Sequence, residues 1–421
     1  MRRKLIMILL LVLPLMSGRV AFSEDSLAVE VTKAVDLGVV YLKSKQLANG
    51  SWGGLGDTPQ YAGASGDMHR MEIGICALSL HALLESAVPV PDPVITKGFY
   101  FLYNRGKNNL FPYEAAVVIL AVESKYHASA SQKRLKKLMK LPPEKRAAKE
   151  KKLGPLKVKY RLSKADKELV DDMLSILRQT YINDKGGWRY GACDGGNMGK
   201  PDTAATQYAI LGFTIAGIMG FEVSDKYFRG ALKFFLETQE KEGPVVTVEK
   251  TAPADLRSYV PTHDRARGWC YMPGSADPDH HKSNAGMTAC GVCGLIMCKA
   301  ILGKSEDEDD RKLAESATQP ILDGLAWLGT NWSVSDNIKG YRSHYYYLYS
   351  LERIGQLGSV DTINGHDWYQ EGAEYLVLAS NEDGSWIDQT ELAPEDIFGT
   401  AFALLFLRRG TRPLAVISRP E

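Results

Sequence analysis

Charge of either sign is almost cancelled in this chain. Over 421 residues, 51 basic stand against 50 acidic, a formal net charge of +1. No bulk basic field is left to attract nucleic acid. Cysteine is scarce, with six residues, which excludes a disulfide scaffold, and the 39 glycines follow no triplet period, which excludes a collagen-like rod. A charged fraction of 24% beside a hydrophobic fraction of 45% excludes a disordered chain. What is present is enough apolar side chain for one large core or two ordinary ones.

The N-terminus is a different material. Arg2, Arg3 and Lys4 precede an apolar run over residues 5–15, and Ala21-Phe22-Ser23 has the small-x-small form of a cleavage site. This reads as a secretory signal peptide over residues 1–23, with Glu24 as the mature start. It implies an exported protein, periplasmic or extracellular, and suits a bacterium. Removing it leaves 47 basic against 50 acidic residues, net −3. Export would meet oxidising conditions. Cys76, Cys290, Cys293 and Cys298 nevertheless lie in apolar runs and read as small buried hydrophobes. Cys193 and Cys270 sit in equivalent loops and form the pair to test for a bridge.

A repeat organises the rest. Gly38-x-x-Tyr41-Leu42-x-x-x-Gln46-x-x-x-Gly50-Ser51-Trp52 has the spacing of Gly372-x-x-Tyr375-Leu376-x-x-x-Ser380-x-x-x-Gly384-Ser385-Trp386. Weakened copies lie between, ending at Phe111, Trp188, Trp269 and Trp332, which makes six units. The segment before each loop is amphipathic, as in Phe228, Ala231, Leu232, Phe235 and Leu236. The segment after it, over 71–84, 113–122, 203–219, 285–302, 344–354 and 397–407, is apolar nearly all round. One-sided helices alternating with all-round apolar helices predict two concentric rings. The apolar ring lies inside and surrounds an axial cavity, and Ala285, Gly286, Ala289, Gly291 and Gly294 let its helices approach closely. The competing reading makes 285–302 or 205–221 a membrane span, against which Lys299, Gln207 and repeated glycines count. The Trp residues are expected to be structural, with the preceding Gln tying adjacent loops together.

Two insertions interrupt the repeat. Residues 127–167 hold 15 basic and 3 acidic residues, net +12, so the remainder of the full chain is net −11. This stretch reads as a solvated excursion or as a docking surface for an anionic partner. Residues 241–283 are rich in Pro, Asp and His. The organisation is thus a single domain over 24–421 with insertions at 127–167 and 241–283.

The repeat unit resembles the QW repeat of squalene and hopene cyclases, and the related repeat of protein prenyltransferase β-subunits. The resemblance covers most of residues 30–410. It implies an all-α fold, an (α/α)6 toroid of six helical hairpins with an outer amphipathic and an inner apolar ring. Its chemistry carries over less completely. The Asp-x-Asp-Asp acid of the cyclases has a literal match at Asp307-Glu308-Asp309-Asp310, inside an acidic run that reads as a solvated turn away from the cavity mouth. At the helix start Ser343-His344-Tyr345-Tyr346, Tyr346 stands where the prenyltransferases keep a zinc-ligand His. No Asp-x-Cys partner follows, and the Gly-Cys-Gly-Glu-Gln run of the thioester relatives is absent.

In such a toroid, polar residues just before the inner helices face the mouth. Asp279, His280, His281, Asp202 and Asp396 are the candidate catalytic residues. His69, Arg70, Tyr341, Arg342 and His344 are the candidate ligand-binding ones. Asp202, Asn284 and Asp396 equally suit plain helix N-caps. Asp277-Pro278-Asp279-His280-His281 brings two carboxylates and two imidazoles within five residues, a set suited to a divalent metal or an acid–base pair; no other cofactor is implied. Three functions fit. The first is a terpenoid-cyclase or transferase relative holding an apolar, isoprenoid-like molecule or lipid. The second is a non-catalytic binding or scaffold module. The third is an α/α-barrel polysaccharide lyase or hydrolase.

Overall fold

The computed structural model describes residues 23–54, 71–105, 110–154, 156–189, 199–247, 257–261, 263–275, 280–340, 343–388 and 395–411. Six outer helices are α1 (Glu24–Ser44), α3 (Pro93–Asn104), α6 (Lys164–Gln179), α8 (Asp225–Thr238), α11 (Thr318–Thr330) and α13 (Trp368–Ala379). They alternate along the chain with six inner ones: α2 (Glu72–Glu85), α4 (Pro112–Met139), α7 (Thr203–Ile218), α9 (Ala285–Leu302), α12 (His344–Gly358) and α14 (Glu395–Arg408). Side-chain caps at Ser23, Asp92, Ser163, Ser224 and Asp367 start five of the outer helices. The inner helices pack in the circular order α2, α4, α7, α9, α12, α14, and α14 returns onto α2. This is a closed (α/α)6 toroid.

Inner-ring burial accounts for the apolar runs. Every residue of α7 from Thr203 to Ala216 is buried. Helix α9 is long and apolar enough to cross a membrane by composition, yet 83% of it is buried, packed by α7, α8, α11 and α12. Gly291 and Gly294 serve a contact other than the inner-ring one expected. A Cβ on Gly291 would lie 2.3 Å from the Trp269 ring, and one on Gly294 2.3 Å from Phe235. These glycines admit aromatic rings of the outer ring and its loop.

The Gly-x-Trp loops work as one joint used repeatedly. The indole N–H of Trp52, Trp188, Trp269 and Trp386 donates to the carbonyl of Leu42, Leu177, Phe235 and Leu376, the same position near the end of each outer helix. Gly50, Gly186 and Gly384 hold φ of +93°, +74° and +85°, which a side chain resists. Each also presses on the outer helix of the next unit, against Lys97, Gly230 and Leu37 respectively. The last of these joins the sixth unit to the first. Gln46 donates to Gly50 O and to Val94 O in the first turn of α3. Gln239 likewise reaches Arg267 O and Pro320 O of α11. The loops are therefore tied to the following outer helix.

Trp332 departs from the pattern. It is half-buried, donates to Glu371 Oε2 at 2.8 Å and stacks on His366. No Gly precedes it within two residues, whereas Gly268 stands directly before the buried Trp269.

Among the described residues, parts of both expected insertions form regular elements. Helix α4 runs on past the ring and turns into α5 (Pro143–Leu153), which packs against it. In the second insertion, β1 (Val245–Thr247) pairs antiparallel with β3 (His263–Arg265). Strand β2 (Ser258–Tyr259) pairs parallel with β4 (Thr362–Ile363), which in turn pairs with β5 (His366–Asp367). The insertion is thereby stitched to the α12–α13 connection. The acidic run opens α10 (Glu308–Glu315) and is only partly solvated: Asp307 caps the helix, while Asp310 is buried beside Arg229 at 2.6 Å.

Candidate functional site

Several of the residues expected at the mouth lie outside the described residues: His69, Arg70, Asp277, Asp279, Tyr341 and Arg342, together with Cys193 of the proposed bridge. The others are placed. Asp202 is the N-cap of α7, accepting from Ala205 N at 2.7 Å, and its second oxygen lies 4.0 Å from Arg189 Nη1. Asn284 caps α9 in the same way. Asp396 is turned to the outer ring, accepting from the Tyr41 hydroxyl at 2.5 Å beside Lys45 at 3.6 Å. His280 lies beside the Tyr271 ring, and His281 Nδ1 is 3.2 Å from Ser275 O, so the two imidazoles serve different surroundings. Among the described residues no three His, Cys, Asp or Glu side chains group as a metal site.

His344 opens α12, its backbone N–H donating to Asp388 Oδ2 at 2.7 Å. Its ring lies among Tyr345, Tyr347 and Tyr375, and burial pulls the imidazole below its ordinary range. The residue belongs to the α12–α13 packing and leaves the axis to the next positions of its helix.

Those positions, Tyr346, Tyr349, Ser350 and Arg353, recur at helical spacing on one face of α12. They meet the axis-facing aromatics of α4, α7 and α14. Tyr113 meets Tyr208 edge-on at 5.7 Å, and Tyr208 stacks on Tyr346 at 5.8 Å. Tyr346 and Tyr349 meet Phe402 at 5.7 and 5.6 Å, and Phe402 stacks on Phe398. Tyr208 and Tyr346 belong to helices separated in the ring by α9. They touch because α9 offers small residues here, with Cys290 Sγ 2.9 Å from the Tyr346 hydroxyl. Burial pushes the Cys290 and Cys293 thiols up, so both stay protonated and the C-x-x-C has no reactive thiolate.

Exposure falls along the axis-facing side of α12. Tyr346 and Met287 keep 9% and 8% exposure, whereas Tyr349 and Arg353, one and two turns deeper, keep 1% and 0%. Arg353 is the unexpected residue. Its guanidinium lies 4.4 Å from the Tyr349 ring centre, 5.0 Å from Tyr208 and 5.7 Å from Tyr346. Nη2 donates to Ser350 Oγ at 2.9 Å. Three ring faces supply much of the solvation the charge loses on burial. Beside it, His81 bridges Ser124 at 2.7 Å and Tyr349 at 3.3 Å. Behind it, Glu352 accepts from Thr411 N and Oγ1, and burial pushes this carboxyl up to about 7. Nothing in the string Leu351-Glu352-Arg353 marks the Arg as central. Its burial comes from Tyr208, 145 positions upstream, as well as from its own helix.

No family model matches the sequence, and no curated protein matches it. Solved structures do match. A GH76 alpha-mannanase from Bacteroides thetaiotaomicron aligns over 91% of this chain and 98% of its own, with a TM-score of 0.50 at 10% identity. A variant of the type II terpene cyclase MstE from Scytonema, in complex with merosterolic acid A, aligns over 92% and 99%, with a TM-score of 0.47 at 11% identity. At such identities the likeness is one of fold.

Proposed function

We propose that this chain is a toroidal binding module that holds an apolar molecule against the aromatic rim of its axis. The observation that carries the reading is the belt Tyr113–Tyr208–Tyr346–Phe402–Phe398, whose members keep a residual exposure that falls to zero at Arg353. Aromatic faces around a concave axis suit an apolar ligand, with the tyrosine hydroxyls as polar handles.

The same arrangement weighs against cyclase chemistry. Cyclisation of a polyene develops a carbocation, and the aromatic cage that could shelter one already contains the Arg353 guanidinium. Two unit charges about 5 Å apart repel by about 3 kcal/mol at an effective dielectric near 20. Binding without cyclisation is therefore favoured over transformation of an isoprenoid.

A titration of the purified protein, followed by tyrosine and tryptophan fluorescence, tests this. An isoprenoid alcohol and a long-chain hydrocarbon should bind saturably, with recovery of unchanged ligand. A neutral mannan oligosaccharide should not bind. Saturable sugar binding without apolar binding, or recovery of a cyclised product, overturns the proposal.

A further inference from the structure

We propose that the α4–α5 hairpin docks the protein on an anionic lipid bilayer. This stands independently of the axial reading. Helix α4 has twice the residues of α2, its neighbour in the ring (28 against 14). At 1.5 Å per residue it therefore runs about 20 Å beyond α2. Helix α5 folds back on this extension, and the hairpin braces itself: Arg134 Nη1 donates to Gly154 O at 2.7 Å, and Arg146 Nε to Leu141 O at 3.0 Å. The remaining cations are not consumed in this way. Lys133, Lys136, Lys137, Lys140, Lys145, Lys149, Lys151 and Lys152 are exposed. Among the described residues none of them forms an ion pair.

Apolar side chains are interleaved with this charge. Leu135 and Met139 lie one turn apart on the same face of α4 and are 58% and 56% exposed, and Leu153 at the end of α5 is 46% exposed. Around the helix, Lys136 lies beside Met139 three residues on, and Lys140 caps the helix directly after it. A soluble polyanion such as nucleic acid or an acidic polysaccharide has a use for the lysines and none for Leu135 and Met139. A bilayer interface uses both. The lysines meet anionic headgroups while the apolar side chains enter the boundary with the acyl chains. Lipid is thus the partner whose chemistry matches the whole surface.

The test is co-sedimentation of the full protein with phosphatidylglycerol/phosphatidylcholine vesicles and with phosphatidylcholine alone. Binding should require the anionic lipid and weaken as salt rises. Replacing Lys133, Lys136 and Lys140 together by Glu should weaken it at least tenfold. With every lysine retained, Leu135→Ala combined with Met139→Ala should weaken it about tenfold. All five side chains are at least partly exposed on the extension, and an unchanged thermal melt verifies that the variants fold. Absence of binding to the anionic vesicles overturns the proposal. So does binding that ignores Leu135 and Met139 and is matched by heparin, since that describes a general polyanion surface.

Discussion

Trp188, Trp269 and Trp386 are fully buried, and each satisfies its indole N–H within its own unit. Each also donates its backbone N–H to a threonine of the following inner helix: Thr206, Thr288 and Thr400. Trp386→Ala should cost about 3–5 kcal/mol in urea unfolding, whereas half-exposed Trp332→Ala should cost about 1 kcal/mol or less. Trp188 and Trp386 were legible from their Gly-x-Trp spacing, and Trp269 from the Gly268 directly before it. Their threonines lie four residues after Asp202, Asn284 and Asp396, a period hidden until the helix starts are known. Arg353 left no local trace, because one of its ring partners comes from α7 and its burial is a property of the closed ring. Glu352 carries a pH prediction. Its folded-state pKa, about 7, lies above the roughly 4.3 of an unfolded glutamate. Stability is therefore fullest below the unfolded value and declines as pH rises through 7. Glu352→Gln should flatten that decline and stabilise the protein by about 2–4 kcal/mol at pH 8, read from urea midpoints across pH.

Among the elements, α9 shows how far pattern reading reaches. Its all-round apolar character correctly marked an inner helix, whereas Gly291 and Gly294, expected to seat neighbouring inner helices, seat Trp269 and Phe235. What periodicity did not reveal was the partner, because an all-apolar helix gives no phase from which to orient its faces. Gly294→Ala tests the orientation. Alanine gains about 1 kcal/mol of helix propensity over glycine. Here its Cβ would meet Phe235 at 2.3 Å, so the variant should be less stable by about 1–3 kcal/mol in denaturant unfolding. In the segment 241–283 the local structure depends on distant pairing. Strand β2 finds its partner β4 about a hundred residues downstream, a register that its two residues alone do not specify.

For the whole molecule, closure depends on the sixth unit meeting the first. A Cβ on Gly384 would lie 2.5 Å from Leu37 O, and one on Gly38 would lie 2.9 Å from the Trp386 ring. Gly384→Ala should therefore destabilise the protein by about 2–4 kcal/mol, combining a strained positive φ with overpacking. Amide exchange should rise first in α1 and α13, the two outer helices at that seam. The repeat made the ring legible because one-sided and all-round apolar helices alternate six times, and four of the loops between them share the same Trp joint. The axial site was not, since its aromatics sit at unrelated sequence positions and converge only when the ring shuts. The proposed apolar site at the aromatic belt above Arg353 is tested by native mass spectrometry after gentle purification, comparing the unaltered protein with Met287→Trp. A bound apolar molecule should be found on the unaltered protein and be lost from a variant that melts at a similar temperature. Equal occupancy of both proteins, or an unaltered protein that never carries or accepts such a molecule, would contradict it.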